Sequence, residues 1–328
     1  MNNRKNFRCG DYDYTVPANG NAEAVIVKYN GKAKDLSIPA KLKPFSFPIF
    51  IQTKLKALPV TIINDNAFKD CSNLRTISIP DSVTYIDDWA FYRCKNLAEI
   101  RVSKDNPSYV DIDGVLFSKT EKHLISCPPR WPMNYLDIPE GIEIINERAF
   151  YGCTSLRIIN IPDSVTAIGW NIGDDELPLD DLLDVLTRRN VFKDCENLME
   201  IHVSKNNDIF MSIDGVLFNK INKHLICYPA GLTAANYNIP QGVRSIGVNA
   251  FYGCTSLRSI NIPDSVTNID WKAFVNCTCL RSVVIPDSVT KIDEEVFRNC
   301  TSLTNIIVDK GSYAEKYCIN NHLPYSRQ

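Results

Sequence analysis

Alternating apolar and polar residues recur along the chain and predict a series of short β-strands. In the stretch LRSINIP (residues 257–263) the last apolar positions alternate with polar ones, so one side of a strand faces a core and the other faces water. The proline that ends the stretch has no backbone N–H and terminates the strand. The following DSVTNI (residues 264–269) begins with turn-forming residues and continues as a second β-branched run. The pattern therefore predicts two short strands separated by a turn.

A third segment completes this unit. The residues WKAF (271–274) predict about one turn of helix, in which the small Ala273 permits close approach and Phe274 fills the space to the next unit. Cys277 ends the segment as a small, soft hydrophobe that fits a narrow corner. Each unit is therefore predicted to be one coil made of two strands and a helical turn.

The unit recurs with a period of 23 residues. Phe251, Phe274 and Phe297 show this spacing, and the cysteines three residues after them share it. A fixed period in this range is typical of a solenoid, in which each unit buries its apolar face only by stacking on its neighbours. Equivalent strands of stacked coils then lie side by side, about 4.8 Å apart.

A longer repeat is superimposed on the short one. Two motifs, DGVLF and KHLI, occur at residues 113–117 and 122–125 and again, 101 residues later, at 214–218 and 223–226. A block of 101 residues has therefore been duplicated. Each extra segment is predicted to be a further coil whose two strands are joined by a turn, at residues 118–121 in the first copy and 219–222 in the second.

The chain is predicted to be one continuous structural domain in three parts. Residues 1–57 form an N-terminal cap with a degenerate first coil, residues 58–308 form the repeat array, and residues 309–328 form a C-terminal helical cap. Ser312 and Glu315 form a capping box that predicts the terminal helix. Longer inserts are predicted near three ranges, 103–135, 172–190 and 204–236.

Two segments leave alternatives open. The lysine-rich stretch from Lys28 to Lys56, with the apolar FSFPIFI at residues 45–51, is either the core and solvated rim of the cap or a contact for a partner or an anionic surface. The acidic insertion at residues 172–190 is either a short helix packed outside its coil or a protruding recognition element. Acidic residues at its start and two arginines at its end favour the helix.

Composition and charge exclude several classes of protein. The 328 residues are 45% hydrophobic and 23% charged, and the formal net charge of −2 argues against a general nucleic-acid binder. No run of about 18 apolar residues is present, so no transmembrane helix is predicted. The first residues lack an apolar signal core, from which we expect either a cytosolic chain or a mature form with a new Met.

The twelve cysteines do not predict a disulfide framework or a zinc site. No CxxC pair occurs. Seven cysteines occupy the same repeat position, three residues after a Phe, and are predicted to be buried thiols: Cys71, Cys94, Cys153, Cys195, Cys254, Cys277 and Cys300. The redox state of the other five is left open: Cys9, Cys127, Cys227, Cys279 and Cys318.

The sequence predicts no catalytic residue, metal or cofactor. The motifs of nucleophilic hydrolases, phosphate-binding loops, dinucleotide folds and zinc proteases are absent. His123 and His224 are copies of one repeat position, which favours a structural role. Around Gly114 a calcium-loop alignment would place Tyr109 first and Thr120 last, and neither supplies a carboxylate.

The unit IPDSVTxIxxxAFxxCxxLxxI resembles the BspA-type bacterial leucine-rich repeat. The motif is nearly verbatim at residues 79–100, 262–283 and 285–306, and the resemblance covers residues 58–328. It implies an α/β leucine-rich-repeat solenoid that is right-handed, with mostly short parallel strands and one-turn helices. It also implies a cell-surface or secreted protein that attaches to host molecules or other cells, and it names no ligand. Since neither a signal nor an anchor is seen, a cytoplasmic location stays open.

The exposed side of the strand column is the candidate binding surface. Its first outward position is occupied in successive units by Arg75, Ala98, Arg157, Met199, Arg258, Arg281 and Thr304. Arg258 and Arg281 belong to adjacent coils, where two charges about 5 Å apart repel by about 0.8 kcal/mol even in water. One possibility is that the guanidinium groups splay apart or pair with nearby acids. The other is that they bind an anionic or carboxylate-bearing ligand, to which Asn160, Asn261 and His202 would supply hydrogen bonds.

We therefore expect a non-catalytic binding or adhesion protein that presents an extended strand face to a protein or glycan partner. Its predicted ligand-binding residues are Arg75, Arg157, Arg258, Arg281, Asn160, Asn261 and His202. An intracellular interaction scaffold or effector that uses the same face is the alternative, and an enzyme with a site at an insertion is the third. The sequence predicts no nucleic-acid partner and leaves the oligomeric state open.

Overall fold

The computed structural model describes residues 6–17, 22–43, 56–170 and 190–328. These residues form two compact units. The first unit contains the described residues within 6–132 and 148–153, and the second contains those within 133–147, 154–170 and 190–328. Each unit is a β-solenoid, as the repeat predicted.

The first unit begins with an antiparallel meander and continues as coils. Its first three strands pair antiparallel in sequence order. The apolar stretch 45–51 lies outside the described residues. The strands of this unit are β1 (Asn6–Cys9), β2 (Tyr12–Thr15), β3 (Ala24–Tyr29), β4 (Asp35–Ser37), β5 (Lys41–Leu42), β6 (Leu58–Ile63), β7 (Thr76–Ile79), β8 (Tyr85–Ile86), β9 (Glu99–Val102), β10 (Tyr109–Ile112), β11 (Val115–Ser118) and β12 (His123–Ser126).

The second unit contains the remaining coils and ends in a helix. Its strands are β13 (Tyr135–Asp137), β14 (Ile144–Asn146), β15 (Ile158–Ile161), β16 (Ala167–Trp170), β17 (Glu200–Val203), β18 (Phe210–Ile213), β19 (Val216–Asn219), β20 (His224–Cys227), β21 (Asn236–Asn238), β22 (Ser245–Ile246), β23 (Ser259–Asn261), β24 (Asn268–Ile269), β25 (Ser282–Ile285), β26 (Lys291–Ile292), β27 (Asn305–Val308) and β28 (Tyr325–Arg327). The helix is α1 (Tyr313–Asn320).

Equivalent strands of successive coils pair in parallel, as the 23-residue period predicted. One column of the second unit aligns Ile260 of β23 with Val283 of β25 and Ile306 of β27. The other column aligns Ile269 of β24 with Ile292 of β26. Because aligned positions carry the same kind of side chain, apolar residues stack on apolar residues along the inside of each column.

The predicted one-turn helices are replaced by hydrogen-bonded turns. The Phe274 N–H donates to the Val296 carbonyl of the next coil at 3.0 Å, and the Phe251 N–H donates to Ala273 at 2.8 Å. An α-helix would require these donors to bind the residue four positions earlier in the same coil. Lys272, with φ of 57°, also leaves the helical region. Within the described residues the one α-helix is α1.

Each duplicated insert forms three strands, one more than predicted. In the first copy β10 pairs antiparallel with β11, and β11 pairs antiparallel with β12. Asp113 (φ 51°) and Gly114 (φ 83°) join β10 to β11, and two residues with positive φ are what a tight type I′ hairpin requires. The predicted turn between the last two strands is present. The second copy, β18 to β20, repeats this meander.

Aromatic rings form the centre of each unit. The ring centroids of Phe251 and Phe274 are 4.9 Å apart, and those of Phe274 and Phe297 are 5.4 Å apart. The predicted column of phenylalanines is therefore confirmed. Tyr228 of the insert extends this column at 5.1 Å from Phe251, and in the first unit the tilted rings of Tyr29 and Phe68 are 5.7 Å apart.

The repeat-position cysteines are free thiols that bind the backbone of the preceding coil. Each of Cys94, Cys277 and Cys300 donates its thiol to the carbonyl of the preceding unit's phenylalanine at 3.0 Å. All twelve cysteines are free. Of the seven predicted to be buried, five are fully buried, and Cys71 and Cys300 are half-buried.

Helix α1 begins at the predicted cap. The Ser312 hydroxyl accepts a hydrogen bond from the Glu315 N–H at 3.1 Å. The Glu315 carboxylate accepts from the Gly311 N–H at 2.7 Å, one residue before the position that a capping box would use. This hydrogen bond and the contact with Arg327 lower the pKa of Glu315. The acidic insertion at 172–190 lies outside the described residues, apart from Asn190.

Candidate binding surface

The exposed strand face is divided into three separate sheets. The first unit contains β4-β7-β9, and the second unit contains β13-β15-β17 and β21-β23-β25-β27-β28. In the second unit, the strand face of the described residues is therefore divided between two distinct sheets. The inserts are the cause.

A glycine turn of each insert ends the preceding sheet. The Gly215 carbonyl accepts a hydrogen bond from the Ile201 N–H of β17 at 3.0 Å, and Gly114 does the same for Ile100 of β9. A Cβ on Gly215 would lie 3.3 Å from the Cα of Glu200. Glycine permits this close approach without displacing the β17 backbone, so the meander occupies the edge of β17 that the next coil would otherwise pair with.

Two buried asparagines hold the inserts on the preceding coil. The Asn207 amide donates to the carbonyls of Pro162 and Val165 at 2.8 and 2.9 Å. Its oxygen accepts from the N–H groups of Ile209 and Phe210. Asn106 makes the equivalent four bonds in the first copy. Sequence reasoning missed both residues, although their identity at an offset of 101 residues was a usable signal.

The four predicted arginines each lie immediately before a strand. Arg75 precedes β7, Arg157 precedes β15, and Arg258 and Arg281 precede β23 and β25; all four are exposed. The Arg281 N–H donates to the Arg258 carbonyl at 2.8 Å, so these two residues occupy the same position in adjacent coils. The predicted equivalence is thus confirmed for this pair. Whether they bind a ligand stays a prediction.

The seven predicted residues do not form one surface. Arg75 belongs to the sheet of the first unit. Arg157, Asn160 and His202 belong to the β13-β15-β17 sheet of the second unit. Arg258, Arg281 and Asn261 share the β21-β23-β25-β27-β28 sheet. Only this last group has two arginines together.

Carboxylates neutralise the first two sheets. His202 Nε2 lies 2.8 Å from the Glu200 carboxylate, and Asn160 donates to Asp137. On the first sheet, the hydrogen bond from Arg101 to Glu99 at 2.7 Å raises the pKa of Arg101. These faces therefore offer an anion little uncompensated positive charge.

The last sheet differs because its face lacks acids. Strands β21, β23, β25 and β27, with the residue before each, contain no Asp or Glu. Arg258 and Arg281 form no ion pair with any described residue. We name this surface the arginine face; it comprises Asn236, Asn238, Arg258, Ser259, Asn261, Arg281, Ser282, Thr304 and Asn305.

Sequence reasoning missed the hydroxyl and amide groups that lie between the two predicted columns. Ser259 and Ser282 are aligned with Asn236 and Asn305 across four strands. The Ser259 hydroxyl donates to the Asn236 side chain at 2.6 Å. The alternation of strand residues was the signal, because residues on either side of an inward Ile both face outward.

The two repeat histidines are buried, and His224 belongs to the other strand column of its unit. The His224 Nδ1 is 2.6 Å from the Ser245 hydroxyl. Across residues 6–17, 22–43, 56–170 and 190–328, no group of three or more His, Cys, Asp or Glu side chains could hold a metal ion. The described part of the chain contains no helix with the length and hydropathy needed to span a membrane.

A family model matches most of the chain. The BspA type leucine rich repeat region matches with six copies, over residues 40–131, 129–233 and 219–324. Comparison with curated proteins gives no match.

Solved structures of bacterial proteins are similar to this chain, and the two with TM-scores above 0.5 share its fold. A leucine-rich repeat protein from Eubacterium ventriosum is 21% identical, covers 94% of this chain and 73% of its own, and has a TM-score of 0.55. The pneumococcal vaccine antigen PcpA is 17% identical over 94% of this chain and 82% of its own, with a TM-score of 0.54. A leucine rich cell surface protein from Faecalibacterium prausnitzii is 24% identical over 97% of this chain and 98% of its own, with a TM-score of 0.45.

Proposed function

The chain belongs to the BspA-type leucine-rich repeat family, whose proteins generally serve in protein interaction or adhesion, and we propose that it is a non-catalytic binding protein that holds an anionic partner on the arginine face. The observation that carries this proposal is the pair Arg258 and Arg281. Two exposed guanidinium groups in adjacent coils repel each other, and an anion bound between them would offset this repulsion.

The chemistry of the arginine face favours a carboxylate-bearing ligand. Guanidinium groups bind carboxylates through paired hydrogen bonds, and the flanking serines and asparagines supply further donors and acceptors. Asn261, at the end of the strand that follows Arg258, adds a further side-chain amide to these donors and acceptors. An acidic protein segment or an acidic glycan at the cell surface both present such groups.

A second candidate is an intracellular scaffold that uses the same face. The free state of all twelve cysteines favours it, because thiols persist most readily in a reducing compartment. The two candidates share the binding residues and differ in the partner.

The test removes the two charges. We expect Arg258→Ala with Arg281→Ala to weaken binding at least about tenfold for ligands that wild-type protein captures on an array of acidic glycans and host proteins. The remaining binding should depend less on salt concentration.

A matched control removes two positive charges from the other strand column. Arg244→Ala with Lys291→Ala changes the net charge equally at exposed positions before β22 and within β26. Equal losses of affinity in the two double variants would show that net charge alone, and not the arginine face, determines binding. Unchanged binding by the Arg258 and Arg281 variant would refute the proposal.

A further inference from the structure

A cavity in the second unit lies among the turn segments, not on the strand face. Its volume is about 340 Å³. Ala230 and Gly253 supply small apolar surface to its lining. The polar side chains that line it are Asp194, Glu196, Tyr252, Thr255, Asn276 and Thr278.

The polar groups of the cavity form a directed network. Asn299 donates its amide to the Asn276 oxygen at 2.9 Å, which leaves the Asn276 amide group as a donor toward Tyr252. Burial, with the charge of Asp194, raises the pKa of Tyr252 to about 12. The Tyr252 hydroxyl therefore stays protonated at neutral pH and is a donor for the Asp194 carboxylate.

This network ends in acceptors. Asp194 and Glu196 form no ion pair with any residue that the structure describes. An ionised carboxylate accepts hydrogen bonds and donates none, so the complementary ligand is rich in donors. The hydroxyls of Thr255 and Thr278 add groups that both donate and accept.

Lys193 lies beside the cavity and offsets part of its negative charge. Its ammonium lies 5.0 Å from the centroid of the Tyr252 ring. The pull of Asp194 and Glu196 on a cationic ligand is therefore weaker than that of two carboxylates alone. A neutral polyol supplies hydroxyl donors to both carboxylates and needs no such charge attraction.

We propose that this cavity binds a neutral pyranose unit of a glycan, with Asp194 and Glu196 accepting from its hydroxyls and Thr255 and Thr278 completing the polar contacts. The volume is in the range of small-molecule sites. The methyl group of Ala230 and the Cα of Gly253 face the C–H surface of the sugar. This site is additional to the arginine face and binds a ligand of different charge.

The duplicated block provides a natural comparison. At the positions 101 residues earlier, Arg93 and Lys95 replace Asp194 and Glu196, while Tyr151 matches Tyr252. Arg93 is paired with Asp70 at 3.2 Å. The acceptors that define the proposed site are therefore specific to the second block.

The test titrates the full chain with the methyl glycosides of glucose, galactose, mannose and N-acetylglucosamine, by saturation-transfer NMR and calorimetry. We expect saturable binding of at least one glycoside. Asp194→Asn, which retains a residue suited to positive φ, and Glu196→Gln together should weaken it at least about tenfold. Ala230→Leu should weaken it by filling the cavity.

The matched control compares Tyr252→Phe with Tyr151→Phe, the equivalent change in the first block. Only Tyr252→Phe should reduce the affinity for the glycoside. Circular dichroism and thermal unfolding of each variant establish that it is folded. Three results would each overturn the proposal. The first is that none of the four glycosides binds saturably, and the second is that binding survives the Asp194 and Glu196 changes. The third is that a lysine-rich peptide binds saturably and the glycosides do not. Replacing Arg258 and Arg281 with alanine should leave glycoside binding unchanged, so the experiment can refute one proposal without refuting the other.

Discussion

Asn106 and Asn207 show how single residues determine where an insert attaches. Each side chain is at most 1% exposed, and each satisfies at least two carbonyls of the preceding coil and two N–H groups of its own insert. A buried amide with all its partners present is stable, whereas its removal leaves four backbone groups without partners. Each asparagine therefore links its insert to the preceding coil through hydrogen bonds on both sides.

We predict that Asn207→Ala lowers the free energy of unfolding by about 3 kcal/mol, because buried carbonyl and N–H groups lose their partners. The measurement is urea denaturation followed by circular dichroism. Asn206→Ala is the control: Asn206 is exposed, and its amide makes one hydrogen bond at 3.3 Å, so its removal should change stability by less than about 0.5 kcal/mol. Similar losses for the two variants would contradict the role assigned to Asn207.

At the scale of elements, hydrogen bonds between coils decide the local conformation. The WKAF segment has the composition of a helical turn, yet the Phe274 N–H binds the next coil. The turn residues before each repeat-position cysteine then adopt positive φ, as Asp194, Gly253 and Asn276 do. Asn, Asp and Gly tolerate this conformation best, which explains why these residue types recur at that position.

The glycine turns of the inserts allow an element-scale prediction. We expect Gly215→Ala to destabilise the protein more than Gly242→Ala, by about 1–3 kcal/mol. Both residues have positive φ, 78° and 89°, so both substitutions carry the same kind of conformational cost. Only at Gly215 does the new Cβ meet backbone, the Glu200 Cα and the Met199 carbonyl, each at 3.3 Å.

Thermal and urea unfolding of the two variants provide the measurement. A larger effect at Gly242, where a Cβ meets no atom within 4 Å, would show that the close approach to β17 is not what requires glycine.

At the scale of the whole molecule, stacking determines the chemistry of the thiols. Burial raises the pKa of Cys318 to about 11 and raises the pKa of Cys277 well above its ordinary value. Such thiols are protonated at neutral pH and weakly nucleophilic. Cys279 differs from them in its exposure, since it follows the repeat position by two residues and lies on the surface.

We predict that one thiol, Cys279, reacts rapidly with an aromatic disulfide reagent in the native protein. The half-buried Cys9, Cys71 and Cys300 should follow slowly, and the eight buried thiols should react only on unfolding. Cys279→Ser should remove the rapid phase, and unfolded wild-type protein should release twelve equivalents of chromophore. Rapid reaction of several thiols in the native state would contradict the burial of the cysteine column.

The sequence by itself determined the coil and its inward residues. The spacing of Phe251, Phe274 and Phe297 placed the rings in one column, and the thiols three residues later followed from the same period. This succeeded because a 23-residue repeat records which side chains must stack, and that information is local to each unit.

Only the tertiary structure decided which surfaces exist. The division of the strand face depends on the contact of Gly215 with β17. The cavity in the second unit depends on Asp194, Tyr252 and Asn276, which come from three different coils. The sequence pattern of a single coil does not predict these contacts, since they join residues that are distant in the chain. They arise when coils stack and leave particular backbone and side-chain groups facing one another.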